Sequence, residues 1–210
     1  MTGDPPDSGE TQELLRRAVA GEPQAFEDLF TRYRPYLCQF VELRLDPKLR
    51  PRLDASDVVQ ETQMEALRRL KSHAEEPAMP FRLWLRQIAQ DRLARLHRHH
   101  AGTARRAIGR EQPLPEGSCD LLAQQLADTG STPSQQVNRK ELTRRLGQAM
   151  QRLSEADREI LLLRNIEGLS NQEVGFLLGI DPAAASQRHG RAMLRLHKLL
   201  YTAGLTESQL

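Results

Sequence analysis

The chain has 210 residues, enough for one ordinary domain or two small ones, with 28% charged and 4% aromatic residues and a formal net charge of +2. Leu, Ala, Arg and Gln are abundant and β-branched residues sparse, which favours helix almost throughout and an all-α fold. There is no apolar run of the roughly 18 residues a membrane span needs and no basic start leading into an apolar segment, while Cys38 and Cys119 stand at no metal or redox spacing; a reduced, cytoplasmic protein is expected.

Asp4, Asp7, Glu10 and Glu13 fall among the first residues with no Lys or Arg beside them, and residues 1–11 read as a disordered acidic tail. A helical module is expected over residues 12–100. In it Phe26, Leu29, Phe30, Tyr33, Leu37 and Phe40 recur at three- and four-residue steps, one face of a helix pair or of a single helix bent at Pro35. In DASDVVQETQMEALRRL, Ser56 is expected to cap a helix with a buried stripe of Val58, Val59, Thr62, Ala66 and Leu70. Asp57, Gln60, Glu61, Met64 and Arg68 then share the opposite, exposed face. The carboxylates Asp57 and Glu61 have no accompanying His or pocket, so they suit protein docking better than acid–base catalysis.

The next helix, PFRLWLRQIAQDRLARLH, places Phe81, Trp84, Leu85, Ile88 and Leu96 inward and Arg82, Arg86 and Gln90 on one outer row. Trp84 reads as core, with stacking on an unpaired base as the alternative. From Arg92 to Arg110 the chain is rich in Arg and His, either a solvated face or a nucleic-acid surface. His97, His99 and His100 point in different directions around a helix and have no Cys or carboxylate at ligand spacing, so no metal is expected; no glycine-rich phosphate loop occurs, and no other cofactor is expected.

Residues 101–137 read as a flexible linker, dense in Gly, Pro, Ser and Asp between Ile108 and Pro133. A second helical module is expected over residues 138–205. Ser154 with Asp157 resembles a capping box opening a helix through Ile160, Leu161 and Leu163 that Gly168 ends. Ser170 with Glu173 is a fuller capping box, its helix stopping at Gly179, after which Asp181 caps a last helix with Pro182 at its first position. Two short helices around a glycine turn make a helix-turn-helix. On the last helix Ala185, Ala192 and Leu196 form the inner stripe with His189 beside it, and Gln187, Arg188, Arg191 and Arg195 are expected together on the far side. Arg and Gln on an outward helix face reach base edges in the major groove, which makes DNA binding the leading reading of this module.

AFEDLFTRYRPYL, DASDVVQET, FRLWLRQIAQDRLAR and LSEADREILLLRNIEGLSNQEVGFLLGI, in that order around a variable linker, resemble the small two-domain extracytoplasmic-function class of bacterial RNA polymerase sigma factors. The likeness covers about residues 12–100 and 138–202 and implies a promoter-specificity factor with no enzymatic activity. It implies that Asp57, Gln60 and Glu61 dock on the clamp helices of the polymerase β′ subunit. The loop between Lys71 and Pro80 and the helix after it would open the −10 element, with Arg82, Arg86, Gln90, Arg92 and Arg95 holding the displaced strand. The helix-turn-helix would read the −35 element through Ser186, Gln187, Arg188, Arg191 and Arg195, its module also resting on the β flap. An anti-sigma factor is a candidate further partner.

The chain departs from the family pattern at Ala184, Ala185 and Ser186, where a Thr-Val-Lys run is usual, at Gly175, where Ala is typical, and at His189, where Leu is common. Small residues at Gly175 and Ala185 allow either a closer helix approach or a looser core. The competing function is a stand-alone helix-turn-helix regulator with a sensing or dimerising N-terminal domain. It explains the second module equally well but leaves the face of Asp57, Gln60 and Glu61 without a role.

Overall fold

A computed structural model of the chain describes residues 9–45, 49–50, 52–75, 79–100 and 136–202, with side chains left undescribed at 97, 99, 100 and 136–143. Every regular element among them is helical. The chain divides into two compact units between Pro115 and Glu116. That boundary lies in the expected linker, whose residues 101–135 are outside the described ones.

The first unit packs α1 (Gly9–Val19), α2 (Pro23–Arg44), α3 (Ala55–Glu75) and α4 (Phe81–His100) around one apolar cluster. The tail expected to reach residue 11 gives way to helix at Gly9, because Thr11 and Leu14 are buried and Thr11 Oγ1 lies 3.3 Å from the Tyr33 hydroxyl. Of the two readings at Pro35, a single helix holds. Pro35 sits exposed inside α2, where its missing N–H and ring disfavour helix, while Leu37, Phe40 and Val41 beyond it are fully buried and keep the chain helical.

In α3 the expected stripe of Val58, Val59, Thr62, Ala66 and Leu70 is buried. The cap is Asp54 rather than Ser56. Asp54 Oδ1 accepts from the Ser56 amide at 3.1 Å, and Asp57 Oδ2 accepts from the Asp54 amide at 3.1 Å. A carboxylate at the helix start also faces the positive end of the helix dipole. The Ser56 hydroxyl is left to accept from Arg34 of α2 at 2.9 Å.

The second unit is built from α5 (Gln136–Arg152), α6 (Glu155–Leu161, continued by a π-helical turn Leu162–Ile166), α7 (Asn171–Leu178) and α8 (Pro182–Thr202). Its helix α5 starts just inside the expected linker. Arg158 of α6 closes the far end of α5, donating to the carbonyls of Met150, Gln151 and Leu153 at 3.1–3.2 Å. These are the carbonyls a helix end leaves without partners. Ile160, Leu161, Leu163, Val174, Ala185 and Ala192 are almost completely buried.

Candidate protein and nucleic-acid interfaces

On α3, Asp57 and Gln60 are exposed and Met64 and Leu67 follow them on the surface, 53% and 55% exposed. Asp57 spends one carboxylate oxygen on the cap. Glu61 is only partly exposed and pairs with Arg92 of α4. Two residues expected to serve different partners, one polymerase and the other DNA, are thus bound to each other across the α3/α4 seam. They border a cavity of about 370 Å³ shared with Met64, Glu65, Arg68, Ile88 and Arg95.

The outer row expected on α4 is corrected by the structure. Arg86 is buried, 3% exposed, with its guanidinium 5.0 Å from the centre of the Phe40 ring. Arg82 is half-buried and lies 4.1 Å over Tyr36, and Arg44 lies 4.1 Å over the other ring, Phe40. Planar guanidinium groups stack on the electron-rich faces of rings, so the arginines are drawn inward onto α2. A signal for this was present in the sequence: Tyr36, Phe40 and Arg44 on one helix and Arg82, Arg86 and Gln90 on the other repeat at the same four-residue step.

Arg86 also donates to Gln90 Oε1 at 3.2 Å. Arg95 is exposed, with Nε on the Asp91 carbonyl at 3.3 Å. Trp84 is half-buried and stacks on His73 with ring centres 4.3 Å apart, so one of its faces is already covered.

The helix-turn-helix forms by the devices expected of it. Ser170 Oγ accepts from the Glu173 amide at 3.1 Å, and Glu173 Oε2 accepts from the Ser170 amide at 2.7 Å. Gly179 closes α7 at φ 64 and ψ 34, where a side chain would be strained. Asp181 Oδ1 accepts from the Ala183 amide at 2.7 Å and starts α8.

Of the two readings at Gly175, the closer approach holds. A Cβ there would sit 2.7 Å from the Ile180 carbonyl and 3.4 Å from the Pro182 nitrogen. The absent side chain is what lets the turn lie against α7.

The far face of α8 carries the side chains expected on it. Ser186, Gln187 and Arg191 are exposed, in line with Ala183, Gly190 and Leu194, a stripe at helical spacing. Arg188 and Arg195 stand three and four residues to either side of Arg191 on the same outward side of the helix, Arg188 half-buried and Arg195 turned toward Asp157. Arg195 Nη1 donates to both Asp157 oxygens at 2.8 and 2.6 Å. The Asp157 carboxylate also accepts from Ser154 Oγ at 2.9 Å, and its amide donates back to that hydroxyl at 3.2 Å.

Burial alone would raise the pKa of Asp157, but hydrogen bonds from Arg195 and Ser154 and the charges of Arg195 and Arg188 hold its carboxyl below the usual range. His189 Nε2 lies 2.7 Å from Asn165 Oδ1 of the π turn. Burial, with the charge of Arg164 behind it, lowers the His189 pKa.

Among the described residues no helix is long and apolar enough to cross a membrane, and no three His, Cys, Asp or Glu side chains gather as a metal site. His97, His99 and His100 lie outside the described side chains.

Comparison with known proteins finds both units. The Sigma-70 region 2 family model matches residues 29–103 and the Sigma-70 region 4 model residues 143–196. The chain is 32% identical to the RNA polymerase sigma factor CarQ of Myxococcus xanthus, over 89% of this chain and 95% of that protein. It is 30% identical to CnrH of Cupriavidus metallidurans, over 89% and 92%. With the ECF RNA polymerase sigma factor SigD of Mycobacterium tuberculosis it shares 28% identity over 91% and 84%. A solved structure of CnrH in complex with the cytosolic domain of CnrY is similar at a TM-score of 0.53 and 25% identity, covering 92% of this chain and 98% of that one.

Proposed function

We propose, for a chain that belongs to the extracytoplasmic-function class of the sigma-70 family of RNA polymerase sigma factors, a division of labour among its surfaces. As a sigma factor it binds core RNA polymerase and directs promoter-specific initiation through −10 and −35 elements. The observation that carries this is the pairing of both family regions with separate compact units, region 2 with the first and region 4 with the second. A stand-alone regulator needs no region 2.

Asp57 and Gln60 of α3, with Glu61 at their edge, are the docking face for the β′ clamp helices. Their exposure beside Met64 and Leu67 supports this, because exposed apolar side chains beside polar ones suit a protein partner. Gln90 and Arg95, flanked by Arg82 and Arg92, form the −10 surface on α4, with the buried Arg86 beneath it. Ser186, Gln187 and Arg191 read the −35 element, and Arg188 and Arg195 contact the backbone from the flank, where their charge steers more than it specifies. The second unit also rests on the β flap. The protein works in the cytoplasm, carries out no chemistry of its own and takes no cofactor. CnrH, solved with the cytosolic domain of CnrY, supports a protein antagonist, an anti-sigma factor, for this chain too.

In vitro run-off transcription tests the reading, with the protein added to sigma-free core polymerase on pooled promoter fragments. Discrete transcripts that require the protein are expected. Sequence-specific duplex binding without transcripts would return the protein to the stand-alone regulator class.

A further inference from the structure

Gln90 lies on the −10 surface of α4, and its amide is held in one orientation. Arg86 has donors and no acceptor, so it engages only the carbonyl end of an amide. The 3.2 Å contact from Arg86 Nη1 to Gln90 Oε1 therefore turns the oxygen inward, toward a buried arginine whose guanidinium lies 5.0 Å over the Phe40 ring. The Nε2 amino group is left facing away from it, with no acceptor among the described residues, on a side chain that stays partly exposed.

A free amide pairs with adenine by using both ends, accepting from N6 and donating to N7. With Oε1 turned toward Arg86, Gln90 does not present both ends of its amide to one base. Two donors without an acceptor match a base edge that carries acceptors, guanine with O6 and N7 or thymine with O4.

We propose that Gln90 is a specificity-determining residue of the −10 contact, selecting guanine or thymine over adenine at one position, and that Arg86 is the positioning residue that imposes the choice by fixing the amide. This rests on the reading of α4 as the −10-facing helix. Arg86 touches no DNA and acts through Gln90, with the Phe40 ring holding its guanidinium in place.

The test is initiation by the full-length protein with core polymerase on a promoter pool randomised across the −10 element, transcripts being counted by sequence. Wild type should favour G or T over A at one position. Gln90→Glu keeps Arg86 paired but presents an oxygen outward, so the same position should shift toward the amino-bearing bases A and C, with a change in base ratio of about tenfold. Arg86→Met frees the amide to turn and should broaden that position alone, with a circular dichroism melt reporting whether the variant folds. If it does not fold, Gln90→Glu decides by itself.

An unchanged base profile in Gln90→Glu overturns the proposal, as does a uniform fall across all sequences. Arg82→Ala and Arg95→Ala separate this failure from failure of the underlying reading. If they slow promoter opening while Gln90→Glu leaves the profile unmoved, α4 still faces the −10 strand and only the amide proposal falls. If neither affects opening, the assignment of α4 falls with it.

Discussion

Single residues in this protein serve structure and contact at once, and Arg195 is the clearest case. It sits on the recognition helix with 59% of its side chain exposed, yet its guanidinium joins Asp157, which is 5% exposed. Removing it leaves a buried carboxylate with only Ser154 as a side-chain partner. Arg195→Ala is expected to destabilise the second unit by about 1 kcal/mol, modest because the pair is open to solvent on the Arg side. Arg191→Ala should leave stability unchanged and weaken −35 binding by about 1–3 kcal/mol, relaxing base preference at the position it reads. Urea melts beside −35 binding distinguish the two, and equal stability for both variants would count against the Arg195 bridge.

His189 makes a pH dependence. Its folded pKa lies below the ordinary value of 6.5, so the unfolded chain takes up the proton first. The stability contributed by neutral His189 is complete above pH 6.5 and declines as pH falls from there through the folded value. His189→Gln, with no proton to take up, should flatten that decline in thermal melts of the second unit. Asp157 acts in a lower window: its contribution is full above its ordinary 3.8 and is lost as pH falls through the depressed folded value.

At the scale of elements, the turn between α7 and α8 depends on two glycines for different reasons. Gly179→Ala forces a side chain into the left-handed region and should cost roughly 1–2 kcal/mol. Gly175→Ala drives a methyl against the Ile180 carbonyl, a backbone atom that cannot rotate away, and should cost about 1–3 kcal/mol. A normal melting midpoint in Gly175→Ala would mean that the turn can shift.

The α3/α4 seam offers a charge exchange. Glu61→Arg combined with Arg92→Glu restores the pair and should leave the melt unchanged, while moving positive charge onto the docking face and weakening capture of core polymerase. Normal capture by the folded double variant would remove Glu61 from that face.

For the whole molecule, each unit has its own buried core and its own caps, the first around Phe26, Phe30, Phe40 and Phe81 and the second around Met150, Ile160 and Leu161. A compact core with its own capping is what independent folding requires. Fragments 1–115 and 116–210 are each expected to unfold cooperatively, within a few degrees of the corresponding transition in the intact chain. A fragment that is unfolded alone in circular dichroism would show that its stability comes from the other unit.

The sequence by itself determined the helix caps at Ser154 and Ser170, the second a full capping box, the turn at Gly179 and the buried stripe of α3, because local backbone satisfaction and 3.6-residue periodicity are written in neighbouring residues. It also identified the family, since both regions are carried by short motifs in order. Tertiary structure alone decided which polar side chains face outward. Arg82 and Arg86 stand on a polar row by spacing but turn inward because Tyr36 and Phe40, each 46 residues earlier in the chain, offer ring faces to them. Arg195 is likewise diverted by Asp157, 38 residues away, and Glu61 by Arg92. A long, flexible arginine has several directions open to it from one Cα, and which it takes depends on the partner that another helix brings within reach.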